Sequence, residues 1–337
     1  MKPTPYTTHP TRREFLKRSA LLPLAAATGM PIATASAAFG PIKRSGSSHL
    51  KTSLNVYSFL ELLNANIKDK TNGLDLFGAC DFCAKCEFDA VDVTGYFFPG
   101  YPDAPADKYI IALKRHAFNL GLGISGTGVR NDFTTADKAV RAEGVQRIKT
   151  WIEVAAKLGA PTVRAFADSQ PPFKNWQEAS GNATRDQVEE WMAADLLECA
   201  KHGEKFGVIV AVQNHGDFIN TGAEHLSLLK RVDHEWCAAL VDTGKYITAN
   251  PYVDIALLAP YAVNWQIKET LFSQPDAPRT DMTKLLAIVR KSGYRGYLPI
   301  ETLSMKRPGY DSYVEIPKML KALNEAITAS AAIGPDQ

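Results

Sequence analysis

One repeated alternation limits what this chain of 337 residues can fold into. Short β-branched or apolar runs, each followed by a polar turn and an amphipathic helical stretch, recur along residues 52–330. The pattern predicts strands over Ser53–Phe59, Ala90–Thr94, Gly121–Gly126, Thr162–Phe166, Val208–Gln213, Cys237–Asp242, Ala262–Lys268 and Tyr297–Glu301. It predicts helices over Leu74–Cys86, Asp107–Leu120, Ala136–Leu158, Arg185–Phe206, Ala223–Val232, Thr280–Ser292 and Tyr313–Thr328. Gly159, Gly207 and Gly293 each close a helix just before a strand, as αβ loops prefer. Several strands are apolar along most of their length, which fits a parallel sheet covered on both faces. Eight such units predict an α/β chain forming a single (β/α)8 TIM barrel. The other topology with this alternation is an open doubly wound sheet. No G-x-G-x-x-G follows the first strand, so neither its dinucleotide-binding version nor a nucleotide cofactor has support.

In a barrel of this kind the chemistry sits at the C-terminal ends of the strands. That rule selects Tyr57, Asp92 to Phe98, Ser125 to Phe133, Arg164 to Phe166, Gln213 to His215, Asp242 to Lys245, Gln266 to Glu269, and Glu301 with Thr302. Tyr57, Tyr96, Phe97, Phe166 and Trp265 offer flat apolar faces for a sugar ring. Arg130, Asp132 and Arg164 offer contacts to hydroxyl or phosphate groups. Arg164, on the fourth strand, is the strongest substrate-contact candidate, because a barrel strand rarely buries an unpaired charge.

The N-terminus has a different character. Thr11-Arg12-Arg13-Glu14-Phe15-Leu16-Lys17 precedes a weakly apolar run that ends in Ala35-Ser36-Ala37. This resembles a cleavable twin-arginine (Tat) export signal over residues 1–37, with cleavage before Ala38. It implies passage through the Tat translocase and a periplasmic or otherwise exported location. Residues 38–51, rich in Gly, Ser and Lys, read as a flexible lead-in to the barrel domain over 52–330. The formal charge of +2 is largely the signal's. Removing Lys2, Arg12, Arg13, Lys17, Arg18 and Glu14 leaves 33 basic and 35 acidic residues, which disfavours nucleic acid as a partner. No later apolar run is long enough to cross a bilayer, so no stable membrane insertion is expected of the mature chain. Cys80-x-x-Cys83-x-x-Cys86 lacks the further cysteine followed by proline of an iron–sulfur motif. Its apolar helical period reads as packed helix cysteines, with no cluster expected.

The strand ends, taken together over residues 50–328, resemble the xylose isomerase-like TIM barrel family, which holds sugar isomerases and epimerases and the distantly related endonuclease IV. In that family the fifth strand ends in Glu-x-His, the sixth gives Asp-x-x-His, the seventh His-x-Lys-Asp and the eighth a Glu. Metal-binding members hold one divalent ion between Glu, Asp, His and Glu. Those positions fall here on Gln213, Asp242, Gln266 and Glu301. The resemblance therefore implies a metal site at these four residues. Because two ligands have become amides, Mn2+ or Mg2+ is favoured over Zn2+. Lys245 stands where an imidazole is usual. Lys268, two residues after Gln266, faces the same side of the strand and offers an ammonium that can neutralise Asp242 and Glu301 without an ion.

These departures redirect the expected chemistry. Sugar epimerases of the family use two metal-bound glutamates as an acid/base pair, and Gln213 cannot take a proton near neutral pH. Glu301 remains as the base, with His215 or Lys245 as its partner, and a lysine can stabilise a developing enolate. The reading is an isomerase/epimerase or lyase doing enolisation, isomerisation or elimination on a keto-sugar or sugar derivative. The alternative is a non-catalytic sugar-binding barrel that has lost its metal. A metal-dependent phosphodiesterase would need a nest of His and carboxylates. Only His215 sits at a strand end.

Overall fold

The computed structural model describes residues 39–273, 276–302 and 308–335. The twin-arginine segment, the cleavage site and Ala38 lie outside the described residues. Eight parallel strands close in sequence order into a barrel. They are β1 (Leu50–Asn55), β2 (Ala90–Thr94), β3 (Gly123–Gly128), β4 (Thr162–Phe166), β5 (Ile209–Gln213), β6 (Cys237–Asp242), β7 (Ala262–Lys268) and β8 (Gly296–Glu301). The connecting α-helices are α1 (Leu60–Ile67), α2 (Leu76–Lys85), α3 (Asp107–Asn119), α4 (Lys138–Leu158), the short α5 (Trp176–Ala179), α6 (Arg185–Phe206), α7 (Gly222–Val232), α8 (Pro251–Leu258), α9 (Met282–Lys291) and α10 (Ser312–Ala329). The single (β/α)8 barrel expected from the alternation is the observed fold.

The helix boundaries follow from side chains that satisfy orphan backbone groups. Thr184 and Gln187 form a capping box at the start of α6, and Thr221 with Glu224 form another at α7. Each such cap stabilises its helix by about 1 kcal/mol. α4 and α6 stop where Gly159 (φ +81°) and Gly207 (φ +67°) take the left-handed conformation that a side chain would resist. β1 ends earlier than predicted, because the Asn55 side chain accepts from the Tyr57 amide (2.9 Å) and starts a 3-10 turn over Val56–Phe59. α1 and α8 were not expected. α8, PYVDIALL, is apolar nearly all round and so shows no amphipathic period.

The apolar core lies between the sheet and the helices. Val91, Val93, Val163, Val210, Val212, Val241, Ile267 and Ile300 all point there. The barrel interior is polar instead. Ser53 and Ser125 hydroxyls meet at 2.7 Å, and Asn264 Nδ2 donates to Asp92 Oδ2 and to Thr162 Oγ1, each at 3.2 Å. Gly126 makes room for this network, since a Cβ there would lie 2.6 Å from Asp92 Oδ2. The lowest layers are thus wired by hydrogen bonds across non-adjacent strands, which fixes the floor of whatever binds above.

Residues 39–49 make specific contacts with the barrel. Arg44 Nη2 donates to Ala262 O (2.5 Å) and Nη1 to Pro260 O (3.3 Å), at the start of β7. Phe39 stacks on Tyr261 (5.1 Å), and the Ser48 hydroxyl donates to Tyr294 O. The half-buried Arg44 guanidinium thus satisfies carbonyls at the start of β7.

Candidate active site

Parallel strands bring all their C-terminal ends to one mouth. There they line a cavity of about 180 Å³. Its wall includes Tyr57, Thr94, Tyr96, Arg130, Arg164, Phe166, Gln213, His215, Lys245, Gln266, Lys268 and Glu301 from the sequence expectation, and adds Asn55. Pockets that bury drug-sized ligands are commonly larger, so the space suits one small molecule.

Register sets the reactive side. Lys268 on β7 lies directly beside Glu301 on β8, and Asp242 on β6 beside Gln266 on β7. The Lys268 ammonium pairs with Glu301 and lies 3.5 Å from Asp242 Oδ2. Lys268 is only 3% exposed. Burial by itself would lower its pKa, but the Asp242 and Glu301 charges outweigh that and hold it above the ordinary lysine value. It is therefore an ammonium at neutral pH. Asp242 is fixed further by the Gly244 amide (3.0 Å) and by Gln213 Nε2 (2.8 Å). Burial, and next the Glu301 charge, push the nearby Tyr57 phenol up.

The donor set decides whether a divalent ion fits among Gln213, Asp242, Gln266 and Glu301. The acceptors that would face an ion are taken by protein N–H groups. Gln213 Nε2 donates to both Asp242 Oδ2 and Gln266 Oε1 (2.5 Å), and Lys268 sits on the two carboxylates. Turning the Gln213 amide would point its oxygen at the Asp242 carboxylate, although Gln213 Oε1 is at present buried without a partner. Two carboxylates and one ammonium leave one net negative charge for a dication. No group of three or more His, Cys, Asp or Glu is placed to hold a metal among the described residues. As arranged, with their acceptors paired to Gln213 and Lys268, the four residues do not fit Mn2+, Mg2+ or Zn2+. The ammonium occupies the electrostatic role instead.

On another arc of the mouth His215 Nδ1 is bonded to the Asp168 carboxylate, and its ring packs 4.8 Å from Phe166. Asp168 is buried, and its other oxygen, Oδ1, has no partner. A carboxylate on Nδ1 fixes the tautomer and leaves Nε2 as the basic nitrogen. The sequence reading missed Asp168. Its signal was its place two residues after Phe166, in phase with that strand end.

Arg164 rises from β4 between two rings. Its Cζ lies 4.0 Å from the Phe166 centroid and 5.3 Å from that of Tyr96, and Nη2 donates to Tyr96 Oη (2.5 Å). Arg130 Cζ lies 4.7 Å over Tyr96, and Nη1 donates to Gln170 Oε1 (3.2 Å).

Some expected contacts fall elsewhere. Trp265 is 0% exposed and packs edge-on against Tyr294 at 5.7 Å, outside the cavity. Strand parity explains it: Asn264, Gln266 and Lys268 point inward, so Trp265 and Ile267 face the helices. Asp132 is a turn residue whose Oδ1 accepts from Thr134 and Thr135 amides at 2.9 and 3.1 Å. Cys80 and Cys83 are buried in α2, where burial pushes the Cys80 thiol to about 12.

Among solved structures, L-ribulose 3-epimerase is similar at a TM-score of 0.66 and 17% identity, over 83% of this chain and 97% of that one. D-psicose 3-epimerase from Clostridium cellulolyticum H10 gives 0.63 and 17%, over 85% and 99%. A 3-keto-D-glucoside 4-epimerase from E. coli gives 0.62 and 13%, over 82% and 99%. At these identities the likeness shows the fold alone. No curated protein sequence matches. The profile described as Xylose isomerase-like TIM barrel matches residues 80–323, more than half of the chain. The chain therefore belongs to the xylose isomerase-like TIM barrel family.

Proposed function

We propose that this chain is an exported enzyme of the sugar isomerase/epimerase type that moves a proton next to the carbonyl of a keto-sugar or sugar derivative. The observation that carries the reading is the junction, in one small cavity, of Glu301 seated on the buried Lys268 ammonium with an Asp168-oriented His215. Similar structures that act on ribulose, psicose and a keto-glucoside support the substrate class. The twin-arginine segment supports export. In this reading Glu301 takes the proton from the carbon beside the carbonyl. The Lys268 ammonium, with Lys245 on the same wall, stabilises the negative charge that develops on the carbonyl oxygen. His215 Nε2 accepts or returns a proton at a second position. Gln213, which cannot ionise, holds Asp242 in place.

The test is hydrogen–deuterium exchange beside the carbonyl of a panel of keto-sugars and sugar acids in D2O, which detects enolisation whatever the net reaction. Wild type should exchange at least one of them. Glu301→Gln should lower the rate by about 10²-fold or more with binding largely kept, since a proton-transfer group acts in the transition state. If several sugars bind and none exchanges, the enzyme reading gives way to a sugar-binding barrel.

A further inference from the structure

The two sides of the cavity differ in what they lack. On the β7–β8 side the ammonium and carboxylates satisfy one another. On the β2–β4 side, Arg164 and Arg130 bring two guanidinium groups onto the single ring of Tyr96, and neither pairs with a carboxylate among the described residues. Asp92, in the layer below, accepts from Asn264 instead. Arg164 is only 6% exposed. A guanidinium carries five N–H donors, and the hydrogen bond it makes here, to Tyr96 Oη, uses one of them. Phe166 and Tyr96 hold its plane from either side, so its free donors keep one direction. Gly128 is part of the cradle: a Cβ there would lie 2.5 Å from Arg164 Nε. The Asp92 charge in the layer below favours the guanidinium, but no carboxylate bonds its donors, and buried donors left unused are costly unless a ligand fills them.

The geometry points to an anion subsite at Arg164, supported by Arg130, so that the substrate is a sugar derivative carrying a carboxylate or a phosphate. β4 lies opposite β8 in the closed order of eight strands. The charged group thus sits across the cavity from Glu301 and holds the reacting carbon toward it. A planar guanidinium matches both anions with two parallel hydrogen bonds, which a neutral ketose cannot use as fully. The inference rests on the cavity being a carbohydrate site, and it adds a demand for charge that the proton-transfer reading does not make.

Calorimetric titration of the purified protein tests it, with D-fructose, D-gluconate, D-fructose 6-phosphate and inorganic phosphate as probes. One charged sugar should bind on the order of tenfold or more tighter than D-fructose, the range for hydrogen bonds to a charged group. A preference for D-gluconate assigns a carboxylate, and a preference for D-fructose 6-phosphate a phosphate. Arg164→Gln should erase the preference, weakening the charged sugar by about tenfold or more relative to D-fructose. Should Arg164→Gln fold poorly, the exposed Arg130→Gln should still reduce the preference severalfold. Equal affinities for neutral and charged sugars would overturn the inference. So would an unchanged preference in both variants, or inorganic phosphate binding as tightly as either charged sugar. The outcome separates from that of the proposed reaction. Charge preference without exchange in D2O removes the reaction and keeps the subsite. Exchange in D2O by a protein that binds neutral and charged sugars equally does the reverse.

Discussion

Asp92→Asn should make this protein more stable near neutral pH and leave it nearly unchanged in acid. Asp92 lies in the polar floor beneath Arg164, 6% exposed, with Asn264 Nδ2 at 3.2 Å. Burial raises its pKa from 3.8 to about 6, and the Glu301 charge adds to the rise. The Asn264 hydrogen bond and the Arg164 charge pull the other way without cancelling it. The sign follows from proton counts. Between 3.8 and about 6 the folded state holds the Asp92 proton that the unfolded chain has released, so stability falls as pH rises through that window. Below it both states are protonated, and above it neither is. A lift from 3.8 to about 6 is worth about 3 kcal/mol of destabilisation at pH 7.5. Asparagine keeps an oxygen for Asn264 and carries no charge, so Asp92→Asn should recover about 2–3 kcal/mol at pH 7.5. For a barrel near 300 residues that is a rise of roughly 5 °C in Tm. The assay is thermal unfolding of both proteins at pH 4, 5, 6 and 7.5. A gap that opens with pH and levels off above pH 7 supports the reasoning. A gap of constant size, or a variant less stable at pH 7.5, refutes it. With the floor charge gone, Arg164 should also bind its anion more tightly.

Wild type should bind Mn2+ weakly or not at all in a calorimetric titration. Gln213→Glu combined with Lys268→Met should bind it at least tenfold more tightly, since the pair of changes makes the site two charges more negative. Equal affinity would mean that Lys268 does not stand in for an ion. Asp168→Asn should lower kcat for exchange by about 10²-fold with little change in KM, because the imidazole loses its fixed tautomer; an unaltered pH–rate profile would remove His215 from the reaction. Arg12→Lys with Arg13→Lys should hold the precursor in the cytoplasm, and normal export of that variant, read by fractionation and intact mass, would end the twin-arginine reading.

The barrel was legible in the sequence because its signals are local. Eight apolar runs separated by amphipathic stretches allow few closures, and Gly159 and Gly207 mark helix ends wherever the chain goes. The site's location was legible for the same reason, since parallel strands deliver their C-termini to one mouth, and Tyr57, Arg164, Gln213, His215, Lys268 and Glu301 line it as expected. Family positions also named Asp242 and Gln266. Which of these groups touch was not legible. The meeting of Lys268 with Glu301 and Asp242 depends on register that brings together residues 33 and 26 positions apart in the sequence. Trp265 and Asp168 show the same limit: one was assigned to the mouth and faces the helices, the other was passed over and holds His215. The sequence by itself determined the fold, the mouth and the chemical types gathered there, because periodicity and turn chemistry act within a few residues. The tertiary structure alone decided the charge pairing, the hydrogen-bond partners and the arginines left without a bonded carboxylate, because those depend on distances that only a closed barrel defines.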